Sequence, residues 1–353
     1  MITDLPRTLS GYAMGSLRLS LAAAACAVAC AAVAQAQTAQ FAAANSRVTI
    51  AADDGALVNG IRAQDEILLV DVRPLRNCCD PAIMAEAAQF EAYQATDASG
   101  YRQWQSASLE RFRAADPSVA TVIFVHGNKI TPWDAKCEGL AAYRRLARQA
   151  PTAAPIRFVI FSWPSAQISG PLRDVRAKAA RTRPAGCQLA WLVDQLPAET
   201  PLTLVGFSFG ARIVTGALHI LGGGSLGGMG LDEIQHSERR PMDVVLLAAA
   251  IHSDWLYPGH CHGQAMSQVE RMLLLNNRAD PAMRFYHFSA TSGKPRALGL
   301  SGPTCIDAAG AAKIVERDLS RCVGREHDLF RYLSAPGVIG QVWDYTVPTG
   351  ATN

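Results

Sequence analysis

Apolar runs about six residues long recur along this chain, each bounded by polar or turn-forming residues. Glu66 to Val72 is the first, stopped by Arg73-Pro74. Val119 to Val125, Ile156 to Ser162, Leu202 to Phe207, Asp243 to Ala250, Met272 to Leu275 and Lys313 to Leu319 follow. Runs this short, apolar without strict alternation, read as strands buried on both faces. Helical spacing fills the gaps: Trp133 to Gln149, Cys187 to Leu196, the stretch from Ser208 to about Leu221, and Pro281 to about Phe288. Proline at the first position suits the last of these. Strands alternating with helices predict an α/β fold, a doubly wound, mostly parallel sheet with helices on both faces. From Pro81 to Asp116 the pattern is polar with scattered aromatics, and fits either a strand pair or short helices on the domain edge.

The first stretch has a different character. Arg7 and Arg18 precede an alanine-rich apolar run from Leu19 to Val33, and Ala34-Gln35-Ala36 offers a small-x-small cleavage pattern. This predicts a signal peptide over 1–36 and export of a chain beginning near Gln37. The run is short for a membrane span. Cys26 and Cys30 follow small residues, so a lipid anchor is the alternative form of export, and contact with membrane is expected only through signal or anchor. Gln37 to about Asp53 reads as a flexible lead-in. The expected organisation is therefore a signal over 1–36, an extension over 37–117 packed on the core, and the main domain over 118–353.

Nine cysteines are present, of which two leave with the signal. In an exported chain some of the remaining seven should pair, though spacing does not fix which. A net charge of +3 with 18% charged residues excludes a nucleic-acid footprint. The densest basic run, Arg173 to Arg183 around Asp174, reads as a solvated helix face.

Chemistry enters at Leu202 to Val214, where an apolar run ends in Gly206-Phe207-Ser208-Phe209-Gly210 and a helical stretch follows. G-x-S-x-G between strand and helix is the context of a nucleophile elbow: a sharp turn projects the serine, and the glycines leave room where two backbones crowd. A serine hydroxyl needs a base to take its proton and a third group to orient that base. With an elbow, the chain order is serine, acid, histidine. Asp280, after the Met272–Leu275 run, is the candidate acid, with an N-cap role for Pro281 onward as its structural reading; Asp254 is the alternative. His327, after the last strand, is the candidate base, with His252 as competitor. His260 and His262 flank Cys261 but lack a second ligand pair, so no metal site is expected. The oxyanion hole needs two N–H donors; Phe209 supplies one and Asn128, in His126-Gly127-Asn128-Lys129, the other. His126 is then a loop residue of architectural role. Ile251 to Gln268, with Trp255, Leu256, Tyr257 and Met266, fits either a small cap over the site or ordinary packing.

With these residues in place, Val119 to Phe330 resembles an α/β-hydrolase. Phe161-Ser162-Trp163-Pro164-Ser165, the His-Gly loop, the elbow, Asn277 to Pro281 and the late histidine resemble uncharacterised bacterial hydrolases marked by that strand end. Asn128-Lys129 departs from the aromatic residue that many such proteins carry there. The resemblance implies a triad of Ser208, Asp280 and His327 acting without cofactor on an ester or related acyl bond of a small-molecule or lipid substrate. A non-catalytic envelope protein on the same scaffold and a serine peptidase are the alternatives; an intact triad order disfavours the first, and no feature to hold a substrate amine is present for the second.

Overall fold

A computed structural model of the chain describes residues 57–58, 60–96, 100–149, 154–234, 238, 241–290 and 293–346. The signal expected over 1–36, the lead-in before Asp53 and His236 lie outside the described residues. Asp54 to Asn353 forms one unit.

Nine strands of the described residues build one sheet: β1 Glu66–Asp71, β2 Gln89–Ala95, β3 Arg102–Ala107, β4 Ala120–Val125, β5 Ile156–Ser162, β6 Leu202–Phe207, β7 Met242–Leu247, β8 Val269–Asn276 and β9 Ile314–Asp318. Their order across the sheet is β9-β8-β7-β6-β4-β5-β1-β2-β3. From β9 to β1 every neighbouring pair is parallel, and β2 and β3 continue the edge as an antiparallel hairpin. β4, β5, β6 and β7 are apolar and buried almost end to end, as strands covered on both faces must be.

The boundary expected before residue 118 does not separate an added layer from the core. β1 pairs with β5 from Glu66–Arg157 to Asp71–Ser162. Its apolar centre, Ile67 to Val70, is at most 2% exposed and needs cover on both sides, which the interior of the sheet provides. The ambiguous stretch from Pro81 to Asp116 holds both alternatives: the β2–β3 hairpin, between a short helix at Pro81–Ala87 capped by Asp80 and another at Leu109–Arg113 capped by Ser108.

Four longer helices flank the sheet: α1 Pro132–Ala147, α2 Pro171–Asp194, α3 Phe209–Leu221 and α4 Val338–Thr346. A capping box of Thr131 and Asp134 starts α1. Successive residues of β6 point to opposite faces. Val205 lines a small apolar cavity together with Leu146 of α1 and Val342 of α4, whereas Gly206 lies against Ala211 of α3. The sheet is thus wound on both faces, a doubly wound α/β architecture.

α2 begins sixteen residues before the helix predicted from Cys187, and its basic run is not simply a solvated face. Arg173, Arg176 and Arg183 are exposed, but Lys178 is fully buried and pairs with buried Asp174 at 3.0 Å. Cys187 on the same helix forms a disulfide with Cys79, closing a separation of 108 residues. Cys78 stays free, so the adjacent cysteines have separate roles.

Candidate active site

The chain passes from β4 outward to β5 on one side, while β6 lies on the other side of β4. Strand order reverses there, and in an open α/β sheet the crevice at such a reversal, outside the carboxyl strand ends, is where ligands bind. The loop His126 to Lys129 and the turn at Ser208 leave the sheet side by side at this point. A Cβ placed on Gly127 would stand 3.4 Å from Ser208 Cβ, so the two loops touch.

Ser208 has φ 55° and ψ −119°, a strained conformation for a residue with a side chain. Its N–H donates to the Leu247 carbonyl at 2.9 Å, and its own carbonyl accepts from Ala211 and Ala250, each at 3.1 Å. The turn is over-determined by these bonds. It also needs its glycines: a Cβ on Gly206 would lie 2.6 Å from Ala211 Cα, and one on Gly210 would run into the Val125 carbonyl.

Asp280 and His327 arrive from the ends of β8 and β9. Asn277 Nδ2 donates to the Gly324 carbonyl at 2.8 Å and ties these two loops together. Asp280 is fully buried and divides its oxygens between two tasks. Oδ1 accepts from the N–H of Ala282 at 2.8 Å, capping the short helix Pro281–Arg284. Oδ2 accepts from His327 Nδ1 at 2.6 Å and from the Tyr332 hydroxyl at 3.1 Å. With its proton on Nδ1, His327 leaves Nε2 free to accept from the Ser208 hydroxyl, 2.9 Å away. Burial disfavours the charged ring, but the charge and hydrogen bond of Asp280, aided by Asp328, outweigh it and hold the His327 pKa above its ordinary value. Phe207 stacks on the ring, with centroids 5.0 Å apart.

The structure therefore brings Ser208, His327 and Asp280 into one hydrogen-bonded series. Phe209 occupies the first position of α3, where N–H groups have no carbonyl one turn back to bond. The Asn128 side chain is drawn away from the serine: its Nδ2 donates to Asp174 Oδ2 at 3.1 Å. Asp174 also accepts from the N–H of Ile168 at 2.8 Å, so the acid in the basic run anchors the loop after β4.

The competing residues take other places. Asp254 is half-exposed and faces His260 at 3.3 Å. His252 stacks on Trp255, and burial, with the charge of Arg212, pushes its pKa down to about 4. His126 donates from Nδ1 to the Gly127 carbonyl at 2.9 Å and accepts at Nε2 from the N–H of Trp163 at 3.2 Å. Burial, with Arg73 nearby, lowers its pKa to about 3, so it stays neutral and joins the ends of β4 and β5. The Ile251 to Gln268 segment packs along α3: His262 Nδ1 lies 2.8 Å from Thr215 Oγ1, and the Gln264 N–H donates to His219 at 3.1 Å. Sequence reasoning missed Tyr332 and Asn277. Tyr332, five residues past His327, stands one turn into the helix that Asp328 caps, and only that helix start hinted that it faces back.

No family model and no curated protein matches this chain. Among solved structures, an acyl-protein thioesterase 2 from Zea mays is similar at 17% identity, over 65% of this chain and 95% of that one, with a TM-score of 0.35. An inhibited esterase B from Lactobacillus rhamnosis is similar at 13% identity, over 90% and 95%, with a TM-score of 0.41. An acetyl xylan esterase follows at 15% identity, over 65% and 95%, with a TM-score of 0.32. At these scores the likeness assigns no activity to this chain.

Proposed function

We propose that this chain is a serine hydrolase that cleaves ester bonds through an acyl-enzyme intermediate. The observation that carries the reading is the continuous series from Ser208 Oγ through His327 to Asp280, at 2.9 and 2.6 Å, on a strained turn beside the crevice. In this reading His327 Nε2 takes the Ser208 proton as Oγ attacks the ester carbonyl carbon. The N–H groups of Phe209 and Asn128 receive the developing oxyanion, an interaction worth about 3 kcal/mol per donor in such sites. The imidazolium then gives its proton to the leaving alkoxide, and water attacks the acyl-serine by the same route in reverse. Asp280 fixes the Nδ1-protonated tautomer and stabilises the imidazolium. The bond from Tyr332 keeps the carboxylate oriented toward the ring. No cofactor is needed in this sequence of steps.

Export by the amino-terminal segment belongs to the same proposal. It is supported by the basic-then-apolar start with Ala34-Gln35-Ala36, and by the Cys79–Cys187 disulfide, a bond that persists in oxidising compartments. Steady-state hydrolysis of short neutral para-nitrophenyl esters tests the activity. Turnover by the native protein that falls by several orders of magnitude in Ser208→Ala is the expected result; equal rates in both proteins would refute the reading.

A further inference from the structure

One turn beyond Ser208, α3 carries a second chemical feature. Arg212 is only 7% exposed, yet among the described residues no carboxylate pairs with it. Its guanidinium lies 4.5 Å over the Trp255 ring. The other polar groups that influence it are Tyr286, Cys261 and a second cation, Arg183. Asp254, the acid on the neighbouring loop, is turned to His260. Beside the guanidinium, Tyr286 and Ser289 are 4% and 5% exposed; the Tyr286 hydroxyl faces both Arg212 and Ser289, but neither Tyr286 Oη nor Ser289 Oγ makes a well-aligned hydrogen bond among the described residues. A desolvated cation with no carboxylate beside it, facing two poorly bonded hydroxyls, is an expensive combination for a fold to retain without a ligand.

The cluster sits on the same edge as the nucleophile. Arg212 comes from the helix after β6, Trp255 from the loop after β7, and Tyr286 and Ser289 from the turn after Asp280, beyond β8. The Ala250 N–H that holds the Ser208 carbonyl lies two residues before His252, which stacks on Trp255 at 4.3 Å. Helical side chains lean toward the amino end, which directs Arg212 toward the Ser208 end of α3.

We propose that Arg212, Tyr286 and Ser289 form a recognition site for a carboxylate on the substrate that Ser208 attacks. The proposal rests on the esterase reading and adds a substrate class to it: esters bearing an anionic group. A planar guanidinium pairs with a carboxylate through two parallel N–H bonds, and the two hydroxyls can donate to the same oxygens.

The probes are the para-nitrophenyl hemiesters of succinate, glutarate and adipate, each beside the neutral acyl ester of matching length. One hemiester should exceed its neutral match in kcat/KM by about tenfold or more, the scale of one charge-assisted contact. Arg212→Met should bring that ratio to about one, as the guanidinium is the only charge it removes. Tyr286→Phe and Ser289→Ala should lower the ratio with little change in melting temperature, because each removes a poorly bonded buried hydroxyl. These two variants decide the matter if Arg212→Met does not fold. Neutral turnover with no anionic preference at any length would overturn the site and leave the esterase reading standing. A second arm avoids turnover: glutarate is titrated calorimetrically into Ser208→Ala and into Ser208→Ala/Arg212→Met. Binding in the first and none in the second supports the site even if no ester is cleaved; equal heats in both would overturn it.

Discussion

Asn128 Nδ2 donates to Asp174 Oδ2 at 3.1 Å, so the loop beside the nucleophile is held by the first turn of α2. The same carboxylate is the partner of the fully buried Lys178. Asp174→Ala should destabilise the protein by about 3–5 kcal/mol in urea melts, since it strands a buried charge. It should also lower kcat by freeing the loop that supplies the Asn128 N–H. Asp174→Ala/Lys178→Met should recover most of the stability and none of the turnover. Recovery of both would show that the loop does not depend on Asp174.

Asp280→Asn should cut turnover by several orders of magnitude, because the amide favours the wrong His327 tautomer, whereas Asp254→Asn should change it little. The pH profile gives a second readout. His327 must be neutral to accept the Ser208 proton, and Asp280 holds its pKa above 6.5. Activity should therefore fall as pH drops through a midpoint above 6.5. In Asp280→Asn, burial acts without the opposing charge, and the midpoint of the residual activity should move to lower pH. A midpoint that stays in place would contradict the pairing.

Much of this geometry was legible in the sequence, for physical reasons. Runs such as Val119 to Val125 are apolar on both faces because their strands lie inside a parallel sheet. In such a sheet, loops at carboxyl ends share an edge, so chain order alone set Ser208, Asp280 and His327 on one side. Other features depend on contacts distant in sequence. The first half of α2 was hidden because its basic residues suggest solvent, while Lys178 is buried by a partner one turn away. β1 was separated from the main domain because its place beside β5 is a pairing across 91 residues, Glu66 to Arg157. The cysteine pairing and the Tyr332 bond to Asp280 have no local signature, and neither does the burial of Arg212 without a carboxylate among the described residues.

Glu138 on α1 offers a test of the buried electrostatics. It is 6% exposed, and burial, with Asp328 and Asp134 nearby, raises its pKa to about 8. The folded protein therefore holds a proton that the unfolded chain, near 4.5, has already released. Stability from this group is complete below pH 4.5 and is lost as pH rises through about 8. Glu138→Gln should flatten that slope and raise the melting temperature at pH above 8 relative to the native protein. An unchanged slope between the two proteins would count against a protonated Glu138.

Covalent labelling by a fluorophosphonate, with the modified peptide identified by mass spectrometry, addresses the nucleophile itself. The expected result is one phosphonyl adduct on Ser208 in the native protein, slower labelling in His327→Ala, and no adduct in Ser208→Ala. A folded native protein that stays unlabelled, or an adduct on a residue other than Ser208, would contradict the assignment.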